Sequence, residues 1–336
     1  MTGKLTRVAV VGVGHMGRHH ARIYHDLPAT DLVAIVDRDA GLAAEWAQRY
    51  DTRAISDIAD LPADVKAVSV AVPTVHHVQV AEPLLERGIA VLVEKPLAAT
   101  VTDAERLLAC ARANGALLSV GHTERFNPVV RAMQRLQITP RYIESTRVSP
   151  FSFRSADIGV VSDMMIHDLD IVLHLVQSPV ARVDAVGVSV LARYEDVASA
   201  RVLFENGAVA NFNASRLALK TDRRLRVFSE TAYLSIDYQR KTGTAITKDA
   251  NLDILSLAKD GRLDDISQLT GADFGSMVQV EPLQVDDVEP LRAELEGFIE
   301  SVRSGTRPAV SAEDGVAAVR LAADIVASLR NHRWRD

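Results

Sequence analysis

Two short stretches of the 336-residue sequence space their side chains for acid–base work. Glu94-Lys95-Pro96 directly follows the apolar run Val91–Val93, and Pro96 restricts Lys95 to an extended backbone. An ammonium held at a strand end can donate to a substrate hydroxyl and stabilise negative charge developing on its oxygen. A lysine on a surface loop is the plainer alternative. Asp163-Met164-Met165-Ile166-His167 sets an acid and an imidazole four residues apart, on one face if the stretch is helical. Histidine can take a hydroxyl proton at neutral pH, and a neighbouring carboxylate would raise its basicity and fix its orientation. The polar stripe continues through Asp170 and His174, opposite Met165, Leu169, Val172 and Val176, so it also reads as the wet face of a helix. A metal site is a third reading, but HExxH and the other strong ligand spacings are absent, and no metal is expected.

A second pattern says what such groups would act with. Gly12-Val13-Gly14-His15-Met16-Gly17 is a GxGxxG turn that follows the apolar run Arg7–Val11 and opens a helical stretch. In that context the first glycine permits the tight turn, the second lets the backbone approach a pyrophosphate, and the third lets helix and strand pack closely. The free amides of the helix start, with His15 and Met16 beside them, supply donors and partial positive charge to the phosphates. Asp37, twenty residues after Gly17, ends the next strand, where a carboxylate can accept bonds from the adenosine ribose hydroxyls. That acid favours NAD, since it would repel a 2′-phosphate; Arg38 beside it keeps NADP open. Ligands of open α/β sheets lie beyond the carboxyl ends of the strands, which puts Lys95 where the nicotinamide is expected. The expected chemistry is hydride transfer.

The elements that must position these groups are legible from periodicity. Short runs rich in Val, Ile and Ala at Arg7–Val13, Asp31–Asp37, Ala67–Pro73, Ala90–Glu94 and Leu117–Gly121 suit strands buried on both faces. Amphipathic stretches at Met16–Leu27, Ala40–Tyr50, His77–Arg87 and Thr102–Asn114 alternate with them, which reads as a doubly wound parallel α/β domain. After about Asn127 the texture changes. One helix is expected over Ser162–Val176, then strands over Arg182–Leu191, Ala198–Phe204, Ala208–Arg216 and Arg224–Tyr238, with Asn206-Gly207 as a hairpin signal, so an antiparallel sheet follows. Residues 239–290 are polar and carry no readable pattern. Helices over Pro290–Ser304 and Ser311–Asn331 close the sequence.

Composition narrows the class. The formal net charge of -6 argues against a nucleic-acid partner. A lone cysteine, Cys110, forms no internal disulfide, so a reducing cytoplasm is expected. The opening residues show no targeting pattern, and the longest apolar runs fall short of the ~20 residues a membrane helix needs, so no membrane partner is expected.

Together, the glycine turn, Pro73-Thr74 with His76-His77, Glu94-Lys95-Pro96, Asp163 with His167, Glu294-Leu295-Glu296-Gly297-Phe298, Arg307-Pro308 and Ser311-Ala312-Glu313-Asp314-Gly315 resemble the glucose–fructose oxidoreductase, inositol dehydrogenase and MocA family. The resemblance spans nearly the whole chain. It implies an N-terminal Rossmann domain (1–124), an α/β substrate and oligomerisation domain with a large mostly antiparallel sheet (125–305), and a helical region (306–336) returning to the first. It implies that Lys95 and His167 flank the reacting carbinol, with His167 the base, and that Thr74, His77 and Glu94 line the cofactor. Val120–Pro128, Arg147–Phe151 and Asp157–Asp163 are similar to members that oxidise UDP-N-acetylated hexosamines, in particular UDP-N-acetylglucosamine at C3. On that likeness His122, Arg125, Asn127 and Arg154 are expected to touch substrate, an arginine taking the diphosphate; a simple cap of the domain crossover would also explain Phe126-Asn127-Pro128. A dehydrogenase of free sugars or inositols is the alternative within the class, and a non-catalytic cofactor-binding sensor the alternative outside it. Apolar runs such as Val186-Gly187-Val188 and Ala208-Val209-Ala210 suggest that the second sheet buries one face in a homodimer or homotetramer.

Overall fold

The computed structural model describes residues 5–152, 158–248 and 278–332. The first half is one parallel sheet of six strands: β1 (Thr6–Val11), β2 (Thr30–Val36), β3 (Arg53–Ile55), β4 (Ala67–Val70), β5 (Ala90–Glu94) and β6 (Leu118–Gly121). Their order is β3-β2-β1-β4-β5-β6, the doubly wound arrangement, with helices α1 (Gly17–Asp26), α2 (Ala40–Arg49), α3 (His77–Glu86) and α4 (Val101–Ala113) in the crossovers. The strands are continuous apolar runs because both faces are covered; Val8, Ala9, Val10, Val91, Leu92 and Val93 are wholly buried. The turn of chain direction falls between β1 and β4, so the glycine turn and the end of β5 open on the same edge.

The second sheet has eight strands in the order β14-β13-β12-β11-β7-β10-β9-β8. They are β7 (Tyr142–Val148), β8 (Val180–Val188), β9 (Val197–Phe204), β10 (Val209–Ser215), β11 (Asp222–Phe228), β12 (Ala232–Asp237), β13 (Thr242–Lys248) and β14 (Val278–Pro282). Every pairing is antiparallel except β7 with β10. The run expected as one strand over Arg224–Tyr238 is two, β11 and β12, because Ser229 Oγ accepts from the amides of Thr231 and Ala232 and folds the chain back. β7 was not anticipated: its inward file is Ile143, Ser145 and Arg147, which has no apolar alternation to read.

α5 (Pro128–Gln134) and α6 (Ile166–Val176) line the inner face of this sheet, α6 being entered through a π-helical turn at Val161–Met165. Two terminal helices join the halves. α7 (Pro290–Ser304), placed from sequence in the substrate domain, packs Leu291, Leu295, Phe298 and Ile299 into the core around β1 and α1. α8 (Ala312–Asn331) sets Val316 and Val319 in the core of the first sheet and Leu321, Ala322 and Ile325 in that of the second. A capping box at Ser311 and Asp314 fixes its start. Among the described residues no helix is long and apolar enough to cross a membrane.

Candidate active site

The glycine turn is built as its residues require. Gly12 has φ +85°, and a Cβ there would lie 2.8 Å from the Ala71 carbonyl oxygen; one on Gly17 would lie 1.7 Å from that of Gly12. A Cβ on Gly14 would meet nothing within 4 Å, so this side of the turn is open to an approaching group. Asp37 stands behind the turn: its Oδ2 accepts from the Val13 amide at 2.9 Å and its Oδ1 from the Asp39 amide at 3.0 Å. α1 begins with no side-chain cap and no acid in its first turn, which leaves its amides for a ligand. Gly14, His15 and Arg38 are exposed, and Met16 and Thr74 are half-buried along the same edge. Open glycine, uncapped amides and ribose-side acid together fit a dinucleotide.

Two residues expected to line the cofactor, His77 and Glu94, are buried and hydrogen-bonded within the protein. His77 is buried, with Nε2 3.0 Å from the Val72 carbonyl and Nδ1 3.0 Å from that of Pro96, so it ties the end of β4 to the loop after β5. The Glu94 carboxylate is also buried. Its Oε1 meets His20 Nε2 at 2.9 Å and its Oε2 accepts from the Lys95 amide at 3.2 Å. Burial alone would raise the Glu94 pKa, but the His20 bond and the Lys95 charge outweigh it and hold the group below the usual range. Both residues shape the loop that presents Lys95, whose peptide bond to Pro96 is cis.

Lys95 and the turn that begins α6 meet across the two sheets. Lys95 Nζ donates to the Asp163 backbone carbonyl at 2.9 Å and lies 3.4 Å from Asp163 Oδ1. His167 sits one helical turn on. Asp163 therefore serves the lysine, and the sequence expectation of a carboxylate raising the histidine's basicity gives way. Burial first, then the charges of Lys95 and Arg147, push the His167 pKa well below its ordinary value. The imidazole is thus neutral, which a base must be. Its Nδ1 is buried with no hydrogen-bond partner.

Three of the remaining expected substrate contacts, His122, Arg125 and Asn127, are buried. Arg125 is bidentate on Asp170, through Nε to Oδ2 at 2.9 Å and Nη2 to Oδ1, with Nη1 3.0 Å from His174 Nδ1; its charge is neutralised inside the protein. Asn127 caps α5 by accepting from the Val129 amide at 3.2 Å and donates to the Tyr238 carbonyl at 3.2 Å. His122 is buried beside Lys95, Glu94 and Asp170, both ring nitrogens lacking partners. Arg154 lies outside the described residues.

Other groups at the site were not singled out for it. Arg147 is bidentate on Asp168 at 2.8 and 2.9 Å, lies 3.5 Å from Glu124 and rests 5.0 Å from the Tyr238 ring centroid. Glu294 on α7 is buried and accepts from Thr123 Oγ1 at 2.7 Å; burial and the nearby Glu94 charge keep its carboxyl protonated far above the usual range. Arg147 opens the Arg147–Phe151 stretch that carries the resemblance, but nothing in the sequence pairs it with Asp168. Among the described residues no three His, Cys, Asp or Glu converge on a metal site.

With this geometry in place, kinship can be judged. Residues 6–122 match the oxidoreductase family with an NAD-binding Rossmann fold, and residues 139–235 match the GFO/IDH/MocA C-terminal domain. The chain belongs to the GFO/IDH/MocA family of NAD-binding oxidoreductases. It is 38% identical over 237 residues to UDP-N-acetylglucosamine 3-dehydrogenase of Acidithiobacillus ferrooxidans, covering 70% of this chain and 75% of that one. A solved structure of that enzyme superposes with a TM-score of 0.85 at 30% identity, over 97% of this chain and 98% of the other. Inositol 2-dehydrogenase of Rhizobium meliloti is 26% identical over 345 residues, covering 97% and 98% of the two chains. Levoglucosan dehydrogenase in complex with NADH shares the fold, with a TM-score of 0.82 at 19% identity over 97% of each chain.

Proposed function

We propose that this protein oxidises a ring hydroxyl of a nucleotide sugar, taking the C3 hydroxyl of UDP-N-acetylglucosamine to the 3-keto sugar with NAD. The observation that carries the reading is Lys95 Nζ, anchored on Asp163 beside a neutral His167, at the strand edge shared with the glycine turn. The A. ferrooxidans enzyme, at 38% identity, supports the choice of substrate class.

NAD, held by the Gly12–Gly17 turn, the first amides of α1 and Asp37, supplies the two-electron acceptor. The chain's own residues do the rest. His167 takes the hydroxyl proton at Nε2, while Lys95 Nζ donates to the same oxygen and stabilises the charge that develops as the carbinol becomes a carbonyl. Asp163 holds the ammonium, and Glu94 holds the Lys95 backbone amide. Because His167 starts neutral among Lys95, Arg147 and Arg223, the proton it gains is readily released to solvent afterwards.

The inositol dehydrogenase relative favours a second reading, oxidation of a free cyclitol or sugar by the same groups. Absorbance at the reduced-nicotinamide band decides between them. Reduction of NAD with UDP-N-acetylglucosamine but not with free sugars or inositols is expected; turnover with the latter alone would replace the substrate while keeping the catalytic residues. We also propose self-association through the outer face of the second sheet, where Val186, Val188 and Leu203 are exposed, with light scattering as its test. A reducing cytoplasm suits the single cysteine, Cys110.

A further inference from the structure

We infer that Arg223 is the anion-binding residue of the substrate cleft and takes the diphosphate of the nucleotide sugar; this rests on the nucleotide-sugar reading above. The inference begins with register. β11 pairs with β7 so that Val227, Leu225 and Arg223 stand opposite Ile143, Ser145 and Arg147. Ile143, Ser145, Leu225 and Val227 are buried against the core, so both files point inward and each ends in an arginine. Arg224 and Arg226, on the other face of β11, pair with Asp222 and Glu144 and have no part in the cleft.

The two inward arginines differ in how their charge is met. Arg147 is buried and both of its bonds to Asp168 are short, so none of its charge is left for a ligand. Arg223 has 40% of its side chain exposed, and the carboxylate nearest it, Glu124 Oε1, is 3.9 Å away. That carboxylate is shared with Arg147 at 3.5 Å, and Glu124 also accepts from Asn127 Nδ2 at 3.3 Å. Arg223 Nε is buried with no hydrogen-bond partner. A guanidinium with an unmet inner N–H, an exposed outer edge and a like charge across the strand is held at a cost that an anion would relieve. Burial and Arg147 lower its pKa accordingly.

Position fits the substrate. Arg223 stands opposite Arg147 on the inward face of the sheet, and the charges of both bear on the His167 ring. A nucleotide sugar has its ring and its diphosphate joined directly, and would place the ring on His167 and Lys95 with the diphosphate on Arg223. A free sugar or an inositol offers Arg223 hydroxyls but no anion. The residue would therefore set specificity for nucleotide-linked substrates, the part that Arg125 cannot play from inside the protein.

The test is calorimetric binding of UDP and of uridine to the NADH-loaded protein, for the natural sequence, Arg223→Ala, Arg223→Lys and the outer-face control Arg224→Ala. We expect Arg223→Ala to weaken UDP binding about ten- to hundredfold, Arg223→Lys to recover part of it, and Arg224→Ala to change it less than about twofold. Uridine affinity, NADH affinity and the melting midpoint should hold in all three. With UDP-N-acetylglucosamine as substrate, KM should rise while kcat changes little, the pattern of lost uniform binding. Unchanged UDP affinity in both Arg223 variants would overturn the inference and leave the nucleotide-sugar reading standing. A natural protein that ignores UDP and turns over only free sugars or inositols would overturn both.

Discussion

Lys95 Nζ donates to the backbone carbonyl of Asp163 at 2.9 Å, so the first residue beyond β5 of the first sheet is tied to the π-helical turn that begins α6 beneath the second. The stronger of the two contacts is to backbone and survives any change of the Asp163 side chain. We therefore expect Lys95→Ala to lower kcat by roughly 10²–10⁴-fold, and Asp163→Asn by only about tenfold, with NADH affinity within a few-fold of the original in both. Steady-state kinetics with a fluorescence titration of NADH measures this. Equal losses for the two variants would show that the carboxylate, not the carbonyl, sets the lysine.

His167 makes a prediction about pH. A base acts in its deprotonated form, and burial together with Lys95, Arg147, His122 and Arg223 lowers its pKa well below the ordinary 6.5. The acid limb of kcat/KM is accordingly expected below pH 6.5, with activity kept as pH rises through neutrality. Replacing the Arg223 charge removes one of the lowering influences, so the limb of Arg223→Ala should move upward. A limb that stays at or above 6.5 in the natural protein would assign the base elsewhere, as would near-normal turnover in His167→Ala.

The glycines divide by what their missing Cβ would meet. Gly12→Ala and Gly17→Ala push into backbone and should lower the melting midpoint, whereas Gly14→Ala has open space and should fold normally. Its cost should fall on NAD, with affinity down about tenfold as the methyl meets the pyrophosphate. Asp37→Ala removes the acceptor for the Val13 and Asp39 amides as well as the ribose contact, so NAD affinity should fall while NADP is discriminated against less. Calorimetry with both cofactors checks the pair.

Arg125 is expected to matter for stability. Removing one member of a buried, bidentate ion pair strands the other, which costs about 3–5 kcal/mol. Arg125→Ala should therefore lower the denaturant midpoint strongly, because it leaves Asp170 buried and unpaired. Arg223→Ala, partly exposed and loosely paired, should not. An Arg125 variant of full stability with a raised KM for UDP-N-acetylglucosamine would return that residue to the substrate site.

Much of this arrangement was legible from residue order alone, for local reasons. The Gly12–Gly17 turn, the acid at 37, the strand before Glu94-Lys95-Pro96 and the helix bearing His167 are each specified within a dozen residues, by hydrophobic period and by conformations only certain residues adopt. β7 stayed hidden because its inward file ends in Ser145 and Arg147, and the join between β11 and β12 because a serine turn interrupts a continuous strand-like pattern. The alternation of the first sheet, the dinucleotide turn and the presence of a lysine and a histidine suited to hydride chemistry were thus determined by the sequence itself. Which charges are consumed internally was decided only by the tertiary structure. Arg125 and Arg223 look alike in one dimension; Asp170, from a helix 45 residues away, neutralises the first, while Asp168 is already committed to Arg147 and leaves the second in the cleft. An ion pair depends on the separation of two side chains in space, and sequence distance carries no record of it.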